Sequence, residues 1–178
     1  MAKLLFLQAI ILCLPLIILT VSATKKDTHL MLWGCSASSD RSLCLHYLRS
    51  DPRSFAAPNY IELGKIIAGF ALAKANETFS SVKKMAAAGK LKKGVAVGLE
   101  TCRGLYGQII AEHIPDAIRT AGRSAEEGSQ RLGDAIEAEM DCEKGFGKNG
   151  VKSPLTKRNN DFKDVVILAQ DLWFLVWG

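Results

Sequence analysis

The chain has 178 residues, with five cysteines and three histidines, and its formal net charge at pH 7 is +5. The length suits a single domain, and the charge is too small to indicate a nucleic-acid-binding protein. The three histidines, His29, His46 and His113, lack the spacing of a zinc motif, so we expect neither a metal site nor a cofactor.

Residues 1–23 have the pattern of a secretory signal peptide. Lys3 supplies a positive charge, residues 4–19 are almost wholly apolar, and Val21-Ser22-Ala23 places small residues before the expected cleavage site. The alternative is an uncleaved membrane anchor, but the apolar run is shorter than the roughly 20 residues that a membrane span prefers. Cleavage after Ala23 removes Lys3 and Cys13, which lowers the net charge from +5 to +4.

The mature chain keeps four cysteines, an even number that indicates disulfides in an oxidising compartment. Four cysteines allow three pairings. We favour Cys35–Cys44 with Cys102–Cys142, because each bridge then closes within its own helical unit. No Cys-x-x-Cys occurs among them, so zinc is not expected.

Residues 24–53 have the pattern of a helical hairpin. Helices are predicted over 25–33 and 41–49, and the Gly- and Ser-rich residues 34–39 between them favour a turn. The second helix must end before Pro52, because the residue before a proline avoids the α region.

Residues 58–178 show apolar residues in steps of three and four, the spacing of amphipathic helices. Long helices are predicted over four ranges: 58–88, 90–121, 125–145 and 159–176. Pro115 predicts a kink in the second, and residues 145–152 form a loop that resembles a phosphate-binding loop but fails that pattern at Val151. Strand patterns are lacking, so we expect an all-α fold: an antiparallel four-helix bundle with an N-terminal helical hairpin and two disulfides.

The sequence contains no recognisable catalytic motif, so we do not expect an enzyme. There is no Gly-x-Ser-x-Gly motif, and the cysteines are assigned to disulfides. Glu139 lies on the apolar side of its helix, where a charged group needs a partner.

The sequon Asn76-Glu77-Thr78 predicts Asn76 as an exposed glycosylation site. The short apolar run 172–177 is interpreted as core packing, not as a membrane tail.

One pattern links the cysteines to nearby residues along essentially the whole mature chain. It consists of three groups: Cys35 and Cys44 followed by Asp51-Pro52-Arg53, Cys102 with Tyr106, and Cys142 with Glu143 and Phe146. This pattern resembles the plant invertase and pectin methylesterase inhibitors. The resemblance implies a four-helix bundle with an N-terminal hairpin and disulfides paired first to second and third to fourth. It also implies a protein without catalysis that covers the active-site cleft of a carbohydrate-active enzyme.

The residues of this chain resemble one of the two branches of this family more than the other. Residues 114–118, the Cys142-Glu143 pair and residues 153–159 look like the invertase branch, whereas the Thr-Cys-x-Asp-Gly-Phe pattern of the pectin methylesterase branch is replaced at 141–146. The resemblance therefore favours acid invertase, cell-wall or vacuolar, as the target. Pectin methylesterase is the alternative, and a non-inhibitory helical protein that binds an apolar ligand is the second. We expect a secreted monomer of the apoplast or cell wall, or of the vacuole, with no nucleic-acid or membrane partner.

Invertase inhibitors of this type carry Pro-Lys-Phe between the second and third bundle helices, to reach into the target's cleft. The matching positions here are Gly122-Arg123-Ser124, which keep the cation but not the proline or the aromatic ring. The resemblance thus implies Gly122, Arg123, Ser124 and Glu126 as partner-binding residues.

Overall fold

The structure is a computed structural model that describes residues 26–177. The signal peptide predicted at 1–23 lies outside the described residues. Two short helices, α1 (His29–Ser36) and α2 (Arg41–Ser50), are followed by a 3₁₀ turn (Pro52–Ala56). Five longer or continuing helices come next: α3 (Tyr60–Ala87), α4 (Lys93–Gln108), α5 (Ile114–Ala121), α6 (Ala125–Lys148) and α7 (Thr156–Trp177).

A four-helix bundle forms the body of the molecule. One π-helical turn, Ile109–His113, joins α4 to α5, and together they act as one long bundle helix. α3 packs mainly against α7, and α6 packs against α4, α5 and α7. The apolar faces enclose a core whose largest fully buried side chains include Trp173, Tyr106, Phe146 and Phe162. This confirms the all-α bundle predicted from the helical spacing.

Both disulfides have the pairing favoured from the sequence. Cys35–Cys44 joins α1 to α2, and Cys102–Cys142 joins α4 to α6, with Cα–Cα distances of 5.5 and 4.5 Å. All four cysteines are fully buried. The hairpin and the bundle therefore each contain one covalent bridge.

The turn predicted over residues 34–39 begins later than expected, because Gly34 lies inside α1. A Cβ at Gly34 would come within 2.7 Å of the Leu172 side chain and 3.2 Å of Tyr60. The glycine therefore lets α1 approach α3 and α7 closely, and this packing overrides its low helix propensity. The backbone N–H of Ser39 also donates to the Asp171 carboxylate at 2.7 Å, which attaches the hairpin to α7.

The junction between α3 and α4 is longer than predicted. α3 ends just before Gly89, which has a φ of 65°, and this agrees with the predicted stop. Lys90 also takes a left-handed conformation, with a φ of 54°, so it cannot begin the next helix. α4 consequently starts at Lys93 instead of Lys90.

A π-helical turn, Ile109–His113, precedes Pro115, the residue at which the sequence predicts a kink. Pro115 lies in the first turn of α5. A proline cannot donate to the carbonyl four residues earlier, and its ring clashes with that carbonyl. The irregular turn Ile109–His113 contains that carbonyl, at Ala111.

The loop predicted over residues 145–152 is shorter in the structure. α6 continues to Lys148, because Gly145 is buried beside Thr101 of α4 and the packing holds this backbone helical. Asn149 Nδ2 donates to the Gly145 carbonyl at 2.7 Å and closes the helix end. α7 begins at Thr156, earlier than the predicted start.

Candidate target-binding surface

Gly122, Arg123 and Ser124 form the entire link between α5 and α6. The backbone N–H groups of Arg123 and Ser124 both donate to the Thr120 carbonyl, at 2.8 and 2.9 Å. The Ser124 hydroxyl caps α6, since it accepts a hydrogen bond from the N–H of Glu127 at 3.2 Å. The link is thus short and held at both ends.

Arg123 is exposed and forms no ion pair with the residues that the structure describes. Its neighbours Arg119 and Arg131 instead pair with Asp116 at 2.6 Å and with Asp134 at 3.4 Å. These five residues line an open polar groove of about 590 Å³ along α5 and α6. Within this groove, the guanidinium of Arg123 is therefore available to an external carboxylate.

The structure places the four predicted partner-binding residues on one short stretch of surface. Gly122, Arg123 and Glu126 are exposed and Ser124 is half-buried. Gly122 has a φ of −67°, an ordinary helical value that does not require glycine. Glu126 lies in the first turn of α6, where a carboxylate interacts favourably with the helix dipole.

The predicted glycosylation site lies on a different part of the surface. Asn76 is exposed in the middle of α3, and its Nδ2 donates to the Leu72 carbonyl at 2.8 Å. It borders an open polar groove together with Lys84 and Arg158. The position is about 16 Å along the helix axis from Lys65, the α3 residue beside the link.

A partly buried polar cluster joins α4, α6 and α7, and it was not predicted from the sequence. The Tyr106 hydroxyl donates to Asn159 Oδ1 at 2.9 Å, and Asn159 Nδ2 donates to the Glu143 carboxylate at 2.6 Å. The Thr156 hydroxyl also donates to Glu143. Burial raises the pKa of Tyr106, which keeps its hydroxyl protonated as a donor. The cluster ties the start of α7 to the bridged helices α4 and α6.

Glu139 lies one helical turn before Glu143 and is only 3% exposed. Its Oε2 has no hydrogen-bond partner among the described residues. Burial raises the pKa of Glu139 to about 7; Lys163 on α7 opposes this shift and Glu143 adds to it. Glu139 forms no ion pair with the described residues, and its burial instead favours the neutral carboxyl, which needs a charged partner less.

The end of α7 differs from the sequence interpretation. Leu172 and Trp173 are fully buried, as core packing requires, but Phe174, Leu175 and Val176 are exposed by 40–47%. No helix in the described part of the chain has the length and apolar character needed to cross a membrane. Within residues 26–177, no cluster of three or more His, Cys, Asp or Glu side chains is arranged to hold a metal ion.

Similar bundles occur in solved structures. The crystal structure of a pectin methylesterase inhibitor from Arabidopsis thaliana matches with a TM-score of 0.60 at 18% identity, over 84% of this chain and 97% of that chain. The crystal structure of mutant form A of a pectin methylesterase inhibitor from Arabidopsis matches with a TM-score of 0.64 at 17% identity, over 79% and 93%. At this identity the similarity shows the fold alone: a helical bundle of the kind found in a protein inhibitor.

A sequence-family match identifies the class more directly. Residues 31–172 match the family described as plant invertase/pectin methylesterase inhibitor, so this chain belongs to that family. Its members are inhibitors and not enzymes, and the chain is accordingly a proteinaceous inhibitor of a cell-wall enzyme. Among curated protein sequences, none matches this chain significantly.

Proposed function

We propose that this protein inhibits acid invertase and that Arg123 enters the active-site cleft of the target. The supporting observation is the exposed position of Arg123 on the three-residue link, with no ion-pair partner among the described residues. Glycosidases work with paired carboxylates, and arginine forms strong, two-pronged hydrogen bonds with a carboxylate. An inhibitor that places this cation in the cleft excludes the substrate without any chemistry of its own.

The order of the link favours tight binding. The stiffening proline of the Pro-Lys-Phe pattern is absent, but two hydrogen bonds to Thr120 and the Ser124 cap restrain the same backbone. A contact segment that is ordered before binding loses less conformational entropy when it binds. The backbone of Arg123 therefore needs little rearrangement to dock.

The family and the exposed position of Asn76 support a proposal about where the inhibitor acts and whether it is glycosylated. We propose a secreted, monomeric protein of the apoplast or cell wall, with the vacuole as the alternative site, and a glycan on Asn76. A glycan there would project from the middle of α3, about 16 Å along the helix from the residue beside the link. That separation leaves the link open to a target enzyme.

Pectin methylesterase is the alternative target. Both solved structures named above are pectin methylesterase inhibitors, although they support only the fold. Under this alternative the helix faces of the bundle would make the main contact, and the link would contribute little. The two targets thus predict different effects of changing Arg123.

The test is Arg123→Ala, measured as the inhibition constant for acid invertase. Truncation of one partner in a buried, hydrogen-bonded charge pair typically costs about 2–5 kcal/mol, so inhibition should weaken at least about tenfold. Arg103→Ala is the matched control, because Arg103 is an exposed arginine on α4 that pairs with Glu100. An inhibition constant unchanged by Arg123→Ala would place the contact surface elsewhere.

A further inference from the structure

A second groove adjoins the link on its α3 side. It has a volume of about 420 Å³ and lies between the 3₁₀ turn, α3 and α5. The apolar part of its lining includes four residues: Pro58, Ile66, Gly69 and Ile118. Arg53, Glu62 and Lys65 line it as well, and a Cβ at Gly122 would lie 3.1 Å from Lys65 Nζ. The groove and the link therefore form one continuous surface.

Close packing among the described residues does not require a glycine at position 69. A Cβ at this position would meet nothing within 4 Å, although Gly69 lies in the interior of α3. Gly64, one turn earlier, is different, because a Cβ there would collide with Trp173 at 2.2 Å. A glycine inside a helix destabilises it relative to alanine. The absence of a side chain at Gly69 keeps the groove open and lets an external group approach the helix.

The charges at the groove suit an acidic partner. Arg53 pairs with Asp51 at 2.6 Å, and Lys65 pairs with Glu62 at 2.8 Å. The Arg53 side chain is 73% exposed. Arg53 donates to the largely buried Asp51 through Nε and Nη2, and its exposed guanidinium has a further amino group, Nη1, that can bind a carboxylate on a partner. Gly122 therefore has a cation on each side: Lys65 at the groove and Arg123 on the link.

We infer that this groove is a specificity pocket, which receives an apolar side chain of the target enzyme that lies next to a carboxylate. The inference rests on the proposed function, since it requires the link to face the target. The apolar lining buries the side chain, and Arg53 pairs with the neighbouring carboxylate while Arg123 occupies the cleft. The groove thus adds a contact outside the cleft that discriminates between target enzymes.

The first test compares Gly69→Leu with Gly104→Leu. Both glycines are helical and a Cβ at either would meet nothing within 4 Å, but Gly104 lies on α4, roughly 20 Å along the helix from Ile118. Leucine is a good helix former, so neither variant should lower Tm, and each should raise it by roughly 2 °C. The inhibition constant for acid invertase should rise about tenfold for Gly69→Leu, because the side chain fills the groove, and less than about twofold for Gly104→Leu.

A second pair of variants keeps the inference testable if Gly69→Leu does not fold. Arg53→Glu reverses a charge at the groove, whereas Arg49→Glu removes a similar exposed pair, with Asp27, outside it. Arg53→Glu should raise the inhibition constant about tenfold, because a glutamate repels the partner's carboxylate. Arg49→Glu should change it less than about twofold. Equal effects of the two reversals would overturn the inference.

Arg123→Ala separates failure of this inference from failure of the proposed function. If Arg123→Ala weakens the inhibition of acid invertase at least about tenfold while Gly69→Leu and Arg53→Glu inhibit normally, the groove inference is overturned and the proposed function stands. If the wild-type protein inhibits neither acid invertase nor pectin methylesterase, both are overturned. If Gly69→Leu abolishes self-association and leaves inhibition unchanged, the groove belongs to a second copy of the chain, which also overturns the inference.

Discussion

At the residue scale, Glu139 makes the stability of the protein depend on pH. Its pKa rises from an ordinary 4.5 to about 7 on folding, so the folded protein binds this proton more tightly than the unfolded chain. The resulting stabilisation is fully present below pH 4.5 and is lost as the pH rises through 7. The difference corresponds to about 3 kcal/mol in the free energy of unfolding.

We predict that Glu139→Gln removes this pH dependence, because an amide stays neutral throughout. Urea denaturation at pH 4.5 and at pH 7.5 measures it. Between these pH values, the wild-type protein should lose about 3 kcal/mol more stability than the variant does. Glu137→Gln, on the exposed side of the same helix, is the control and should behave like the wild type. The same pH dependence in Glu139→Gln and the wild type would contradict the raised pKa.

The structural roles of some residues can be predicted from the sequence, and those of others cannot. Glu139 could be picked out because helical spacing alone puts it on an apolar face. The contacts of Tyr106 with Asn159, and of Asn159 with Glu143, could not, because the first pair is 53 residues apart and helical periodicity gives no register between distant helices. The same holds for the polar groove beside Arg123. Local sequence patterns show on which face of its own helix a side chain lies, but not which residues of other helices it contacts.

At the scale of elements, packing or backbone geometry accounts for three boundaries that differ from prediction: the end of α1, the start of α4 and the end of α6. Gly34 and Gly145 are turn-forming residues in sequence, yet both lie inside helices because their small size permits close approach by Leu172 and by Thr101. Lys90 differs for a local reason, its left-handed backbone conformation. Pro115 gives a steric signal in the sequence itself, and the kink predicted there lies within one turn of the irregular segment Ile109–His113.

The two disulfides should contribute differently to stability. In the chain-entropy model, the bridge with a sequence separation of 40 contributes about 4 kcal/mol and the one with a separation of 9 about 2.6 kcal/mol. We predict that Cys102→Ser lowers the bundle Tm strongly, since it also leaves Cys142 unpaired in the core. Cys44→Ser should mainly loosen the hairpin.

Thermal denaturation followed by circular dichroism, with limited proteolysis of residues 29–50, checks this prediction. Cys44→Ser should make the hairpin susceptible to the protease while the main transition stays close to that of the wild type. An equal loss of Tm in the two variants would contradict a hairpin that opens separately from the bundle.

At the scale of the whole molecule, the bundle and the hairpin were predictable, because helical periodicity is a property of the sequence itself. The even number of cysteines indicates disulfides but allows three pairings, and the observed one could be favoured because each bridge closes within its own helical unit. The grooves on the surface were not predictable from the sequence. The groove at Gly69 combines residues of the 3₁₀ turn, α3 and α5, which meet only through the packing of the bundle. The residues of the link could be named beforehand only because they are consecutive and match the position of a family motif.

The central claim is that this inhibitor acts by occluding the cleft of acid invertase, and parallel titration tests it most directly. The purified mature protein is titrated against acid invertase and against pectin methylesterase, at several substrate concentrations. We predict saturable inhibition of acid invertase at a one-to-one molar ratio that excess substrate competes away, with pectin methylesterase unaffected. Inhibition of pectin methylesterase alone, or inhibition of acid invertase that substrate cannot reverse, would contradict the claim.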